Sequence, residues 1–148
     1  MTDTQPSIRP AIVDDLGRID ALLESLNLPT VGVSEHLGNF LVLVNKSAVV
    51  GCVGLEVYGS KGLLRSLAVK PELQGQGLGN LLYQAVTESA RQRGIAEIYL
   101  LTETAEAFFV ARGFQIIARD LVDEEVKASV EFSSACPQSA VCMSFKLT

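Results

Sequence analysis

Tryptophan is absent from this 148-residue chain, histidine occurs once, and there are only three cysteines. That supply is too thin for a zinc site. Cys136 and Cys142 stand six residues apart around Pro137, whereas paired zinc ligands are about two to four residues apart and come in fours. No metal is expected, and these cysteines read as small hydrophobes beside a turn. Basic residues are in deficit, 12 against 17 acidic for a net charge of −5, and no basic block of five occurs. A grip on the phosphate backbone of nucleic acid is therefore not expected. No uninterrupted apolar run approaches the ~18–20 residues that span a bilayer. The N-terminus, Met-Thr-Asp-Thr-Gln-Pro, lacks the apolar core of a secretion signal. With an odd cysteine count, this points to reduced thiols and a cytoplasmic location.

What the chain does have is core. Hydrophobic residues make up 48% and charged residues 20%, a composition that folds, and the length suits one domain over residues 1–148. Ile-Arg-Pro-Ala-Ile-Val at 8–13 reads as an edge strand, since Pro10 has no N–H for a ladder. Asp14 and Asp15 stand where a helix cap and first-turn carboxylates belong, followed by Leu16, Ile19, Leu22, Leu23 and Leu26 at helical spacing. Strands are expected over 40–44, 48–57 and 63–69, joined by Asn45-Lys46-Ser47 and Gly59-Ser60-Lys61-Gly62 turns. A helix carrying Leu78, Leu81, Leu82, Ala85, Val86 and Ala90 stops at Gly94. Beyond it come a buried strand at 98–101, a short helix capped by Thr104, a strand at 114–118, a helical turn at 123–128 and a last strand at 140–147. The order gives an α/β fold with a mixed, largely antiparallel sheet flanked by helices.

The densest signal lies between strand and helix. Ser-Leu-Ala-Val-Lys-Pro-Glu-Leu leads into Gln74-Gly75-Gln76-Gly77-Leu78-Gly79-Asn80, and the amphipathic helix begins at once. A glycine-rich turn at a helix N-terminus offers several backbone N–H groups and partial positive charge to an anion. Glycine keeps Cβ atoms out of a phosphate's way and supplies φ > 0. A P-loop is excluded, because no Gly-Lys-Ser/Thr follows. The dinucleotide fingerprint fails as well, because its third glycine falls on Asn80.

Gln/Arg-x-x-Gly-x-Gly/Ala does fit, and it resembles the coenzyme A pyrophosphate loop of the GCN5-related N-acetyltransferase (GNAT) superfamily. Residues 105–114, Ala-Glu-Ala-Phe-Phe-Val-Ala-Arg-Gly-Phe, resemble its second signature, Ala-x-x-Phe-Tyr-x-Lys-x-Gly-Phe. The resemblance covers almost the whole chain. It implies a GNAT fold with splayed central strands and acetyl-CoA lying between them. By the resemblance, Leu67, Ala68 and Val69 contribute backbone to the pantetheine arm, Gln74 to Asn80 hold the diphosphate, and Phe108 packs beside the cofactor. It further implies an N-acetyltransferase acting on a small, amino-acid-like amine by direct attack in a ternary complex, with homodimerisation common in the superfamily. A finer resemblance, carried by Leu55–Gly59, Leu63–Leu67 and the Glu131–Met143 tail, is to a branch associated with arsenic resistance. It implies a small amine, such as an arsenic-containing amino acid, as acceptor. A soft As(III) centre could take two or three thiolates, which makes arsenical binding by Cys136 and Cys142 the alternative to their reading as small hydrophobes.

Two departures from the family pattern matter. The tyrosine that protonates the leaving thiolate is Phe109 here, and the glutamate base of histone-modifying members falls on Leu63. The remaining candidates for the base are Glu56, Glu103 and His36. Glu56 interrupts an apolar strand, where burial would raise its pKa toward a useful value; alternatively it faces solvent. Glu103 lies where strand opens into helix. His36 sits in a loop. Arg65 stands either to clamp a substrate carboxylate or to pair with Glu56. A rival reading makes the domain a CoA-binding sensor without catalysis.

Overall fold

A computed structural model describes residues 5–135 and 138–147. Seven strands form one sheet: β1 (Ser7–Pro10), β2 (Phe40–Asn45), β3 (Ala48–Tyr58), β4 (Lys61–Val69), β5 (Glu97–Thr102), β6 (Gln115–Ile116) and β7 (Val141–Lys146), in the order β1-β2-β3-β4-β5-β7-β6. Every neighbouring pair is antiparallel except β4 and β5. The helices are α1 (Leu16–Ser25), α2 (Leu78–Gln92), α3 (Glu106–Val110) and α4 (Glu124–Lys127). This is the mixed, mainly antiparallel α/β sheet expected from the sequence. Among the described residues no helix is long and apolar enough to cross a membrane.

Alternation on the central strands explains the layering. Val42, Val49 and Cys52 pack against Ile19, Leu22 and Leu23 of α1, while Leu43, Val50 and Val53 pack against Leu82, Val86 and Ala90 of α2. β3 is buried on both faces, hence its nearly unbroken apolar run. Each Leu-sized side chain so buried contributes about 1.5–3 kcal/mol. Leu81, expected in the α2 stripe, instead faces solvent, and Tyr83 is buried in the helix core.

Strand β1 is the expected edge strand but ends at Pro10, three residues early. The Arg9 guanidinium reaches forward to both oxygens of buried Asp15, at 2.8 and 3.0 Å, and Asp15 also accepts the Ile12 N–H. These bonds turn the chain out of the sheet. The strand expected at 114–118 pairs over two residues only. Before α3 the hydroxyl that accepts a backbone N–H is that of Thr102, bonded to Ala105, rather than Thr104.

One irregularity positions everything that follows. Gly54 faces Arg65 and Cys52 faces Ala68, so Ser66 and Leu67 together oppose Val53. This is a β-bulge, and Ser66 sits at φ 62°, in left-handed space that non-glycine residues rarely occupy. The buried Cys52 thiol donates to Ser66 O at 3.2 Å. On its other side β4 pairs with β5 only over Lys61–Leu63 against Glu97–Tyr99. Beyond Leu63 the two strands diverge, and both line the cleft that opens between them.

Candidate active site

The cleft has two ends. At the first, a cavity of about 500 Å³ is walled by Leu67–Val69, Gln74, the glycine loop, Phe108 and Arg112. Of the loop and strand residues expected to hold a cofactor, the structure brings together Leu67, Ala68, Val69, Gln74, Gly75, Gly77, Leu78, Gly79, Asn80 and Phe108; Gln76 is exposed and does not line the cavity. Gly75 and Gly77 adopt φ of 82° and 83°, while Gly79 lies in the first turn of α2. Beyond the adjoining chain, a Cβ on any of the three would meet no protein atom within 4 Å. Glycine at 79 therefore answers neither strain nor crowding from the protein, and the space beside it suits a ligand.

Strand geometry supplies the backbone groups. Lys70 donates its N–H to Val50 O on β3, and alternation then directs the peptide groups of Val69 and Leu67 away from β3, into the cleft. Gln74 Nε2 already donates to Val69 O at 3.0 Å. An incoming pantetheine amide would have to share or displace that bond.

Sequence reasoning passed over Arg112. Its guanidinium lies 3.5 Å above the Phe108 ring, donates to Asn80 Oδ1 at 3.0 Å and to Phe108 O at 2.8 Å. The i, i+4 spacing of Phe108 on α3 and Arg112 in the turn that follows it was the available signal. The guanidinium thus brings positive charge to the glycine-loop cavity. Phe109 is buried among Phe108, Tyr83 and Phe114. It lines the middle of the cleft with a phenyl ring that has no proton to give.

The second end is a cavity of about 470 Å³ reached past Ser66, with Asn27, Pro29, Arg65, Glu103 and Glu131 in its wall. Behind it lies a buried polar cluster. Arg65 Nη1 bonds Glu56 Oε2 at 2.8 Å, both side chains being 0% exposed. Arg65 Nε donates to Ser66 Oγ at 3.0 Å and lies 3.5 Å from Glu131 Oε2. Tyr58 donates its hydroxyl to Glu56 Oε1, and His36 Nε2 lies 3.6 Å from the same oxygen.

Glu56 departs from expectation. Burial does push its carboxyl upward, but hydrogen bonds from Tyr58, Ser129 and Arg65 together with nearby His36 outweigh that, and its pKa lies below the ordinary value. Burial and the Glu56 carboxylate push the Tyr58 hydroxyl up to about 12. Arg65 adopts the alternative weighed against substrate clamping: it pairs with Glu56. Leu63, at the position of the histone-modifying base, is wholly buried. Glu103 is exposed at the mouth, where Ser139 Oγ donates to it at 3.1 Å. Cys52 and Cys142 are buried free thiols, and Cys136 lies outside the described residues. Among the described residues no group of three or more His, Cys, Asp and Glu is placed to hold a metal.

Comparison with known proteins agrees with this geometry. The family model for the acetyltransferase (GNAT) domain matches residues 36–116. An amino-acid acetyltransferase of Ralstonia nicotianae is 32% identical over 116 residues, covering 72% of this chain and 26% of that protein. An uncharacterised N-acetyltransferase of Chlorobaculum tepidum is 28% identical over 111 residues, 74% of this chain and 69% of the relative. The crystal structure of N-acetylglutamate synthase from Neisseria gonorrhoeae, complexed with coenzyme A and L-arginine, superposes with a TM-score of 0.82 at 25% identity, covering 98% of this chain and 34% of that one. The chain thus spans about a quarter of the length of the amino-acid acetyltransferase that it matches at 32% identity. The splayed strands, the bulge, the glycine loop at the head of α2 and the family match converge: this chain belongs to the acetyltransferase (GNAT) domain family.

Proposed function

We propose that this domain transfers the acetyl group of acetyl-CoA to the amine of a small, amino-acid-like acceptor, by direct attack in a ternary complex. The observation that carries this reading is the opening between β4 and β5, which joins the glycine-loop cavity to the acceptor end through one continuous cleft. The residues present fit the cofactor, because the space beside Gly75, Gly77 and Gly79 is one that a Cβ would fill. When bound, acetyl-CoA supplies an activated acyl group on a thioester. The backbone N–H groups at the head of α2 and the Arg112 guanidinium hold the diphosphate. The Leu67 N–H faces negative charge that builds on the carbonyl oxygen under attack.

Proton traffic falls to few groups. Phe109 cannot protonate the departing thiolate, which leaves as the anion or takes a proton from water; a thiol pKa of about 8–9 makes either route workable near neutrality. Of the three candidate bases, Glu103 at the acceptor mouth is the best placed, while His36 lies against Glu56 Oε1 at 3.6 Å. Glu56 is fully enclosed and held as an anion by Arg65 and Tyr58, so its part is to fix Arg65. The amino-acid character of the acceptor is supported by the names of the relatives. The arsenic-containing acceptor rests on the resemblance of residues 55–59, 63–67 and 131–143 alone, and belongs in any acceptor panel. A cytoplasmic location and a homodimer are proposed on the sequence expectations, with the free Cys52 and Cys142 thiols in keeping with reduced surroundings.

Calorimetry with acetyl-CoA, followed by thiol release and mass spectrometry across amino acids and amines, tests the transferase reading. Binding with an acetylated product supports it. The absent tyrosine motivates one rival, a CoA-binding sensor, which predicts binding without product across a broad panel.

A further inference from the structure

We propose that Cys52 is a positioning residue for acetyl transfer: its buried thiol fixes and polarises the peptide unit between Ser66 and Leu67, whose N–H faces the carbonyl under attack. This rests on the acetyl-transfer reading of the cleft and adds to it a residue that lines none of the cleft's cavities.

A trans peptide is rigid and flat, with its C=O and N–H pointing in opposite directions. Whatever holds Ser66 O therefore sets the direction of the Leu67 N–H. Cys52, on β3, places its Sγ 3.2 Å from Ser66 O, so the Leu67 N–H points away from β3 and into the cleft. The register of β4, read from the Lys70 N–H on Val50 O, gives the same direction independently. The backbone needs holding at this point. Ser66 and Leu67 are the two residues of the bulge, where the ladder is interrupted, and Ser66 stands at φ 62°. A second bond secures Ser66 by its side chain, since Arg65 Nε donates to Oγ at 3.0 Å. Arg65 is itself fixed by Glu56 at 2.8 Å.

A thiol suits this task. Cys52 is wholly buried in the cluster that holds Ile19, Leu23, Phe40 and Ala68. Burial pushes its pKa up to about 12, so near neutrality the proton stays on sulfur and a donor is always present. Hydrogen bonds in series strengthen one another: donation into Ser66 O draws electron density from the amide nitrogen and makes the Leu67 N–H a stronger donor. That strengthening matters most when the carbonyl oxygen carries negative charge, as it does during attack. Loss of the thiol proton is therefore felt in kcat more than in the affinity for acetyl-CoA, which draws on the glycine loop and Arg112. A small hydrophobe at position 52 would fill the same space and do none of this.

The experiment uses the full chain and acetyl-CoA isotopically labelled at the thioester carbonyl carbon. Calorimetry comes first: a parent protein that does not bind acetyl-CoA would end the transferase reading, and this proposal with it. In the bound parent the infrared band of the labelled carbonyl should lie at lower frequency than for acetyl-CoA free in buffer. Cys52→Ala, with Cys52→Val beside it as a fuller side chain equally without a donor, should lose most of that shift while acetyl-CoA affinity stays within about twofold of the parent. Cys52→Ser keeps a donor at nearly the same place and should retain the shift. With any acceptor that turns over, and below each variant's melting midpoint, kcat should fall about tenfold in the donor-free variants, roughly the contribution of one hydrogen bond, and recover most of that loss in Cys52→Ser. An unshifted band in the acetyl-CoA-bound parent, a shift that survives in both donor-free variants, or Cys52→Ser no better than Cys52→Ala would each overturn the proposal.

Discussion

Glu56 and Arg65 illustrate how a polar residue earns a place in an apolar strand. A carboxylate at zero exposure would be intolerable alone; here it accepts from Arg65 and Tyr58, and Arg65 in turn bonds Ser66 and Pro29. The pair ties β3, β4 and the loop after α1 together at the point where the cleft opens. Removing one member should cost far more than removing both. Glu56→Ala is expected to destabilise the fold by about 3–5 kcal/mol because it strands a buried guanidinium. Glu56→Leu combined with Arg65→Met should recover most of that loss, as read from urea midpoints. A double variant no more stable than the single one would show that the cluster does not act as a unit. Residue identity made Glu56 conspicuous in the sequence. Its partners His36 and Ser129 were not legible, because they reach it from a loop ahead of β2 and from chain more than seventy positions further on.

At the level of elements, the glycine loop and the bulge have different origins. The loop is local. Three glycines, a preceding proline and a following amphipathic pattern were readable in order, and the structure places them at the head of α2 with φ of 82° and 83° at Gly75 and Gly77. Gly79 separates backbone strain from ligand space. Its φ is not left-handed, and beyond its own turn of helix no protein atom lies within 4 Å of where a Cβ would stand. Gly79→Ala should therefore leave stability unchanged or raise it by up to about 1 kcal/mol, yet weaken acetyl-CoA binding. Gly77→Ala should cost about 1 kcal/mol as well as weaken binding, because alanine has to enter left-handed space. Thermal melts beside calorimetric titrations tell the two apart, and full acetyl-CoA affinity in Gly79→Ala would remove the steric role assigned to that glycine. The bulge is not local. Nothing about Ser66 as a residue announces φ of 62°; it follows from the register that β3 imposes on β4, and from the Cys52 thiol on Ser66 O.

For the molecule as a whole, two buried carboxylates set the response to acid. Asp15 is held below its ordinary value chiefly by hydrogen bonds from Arg9, against the upward push of burial, and is helped by the Ile12 N–H. Glu56 is lowered likewise, against burial, by Tyr58, Ser129 and Arg65. A carboxyl whose folded value is depressed binds its proton more readily when unfolded. Its contribution to stability is whole above the unfolded value, about 4, and is lost as the pH falls through the lower folded value. Unfolding free energy should therefore drop on acidification below about pH 4, with a shallower slope in Glu56→Gln. Equal slopes in urea titrations over that range would exclude Glu56 as a contributor.

The sequence by itself determined the alternating strands, the two packed helix faces and the anion-binding turn, because each is encoded in residues that neighbour one another along the chain and answers to short-range sterics and periodicity. Only the tertiary structure decided that β4 parts from β5 after Leu63, that Glu56 is an anion locked to Arg65, and that Arg112 stands over Phe108 beside the glycine loop. Those are outcomes of register, burial and long-range pairing. Their free energies depend on which distant groups share a dry interior, and no window of the chain contains that information.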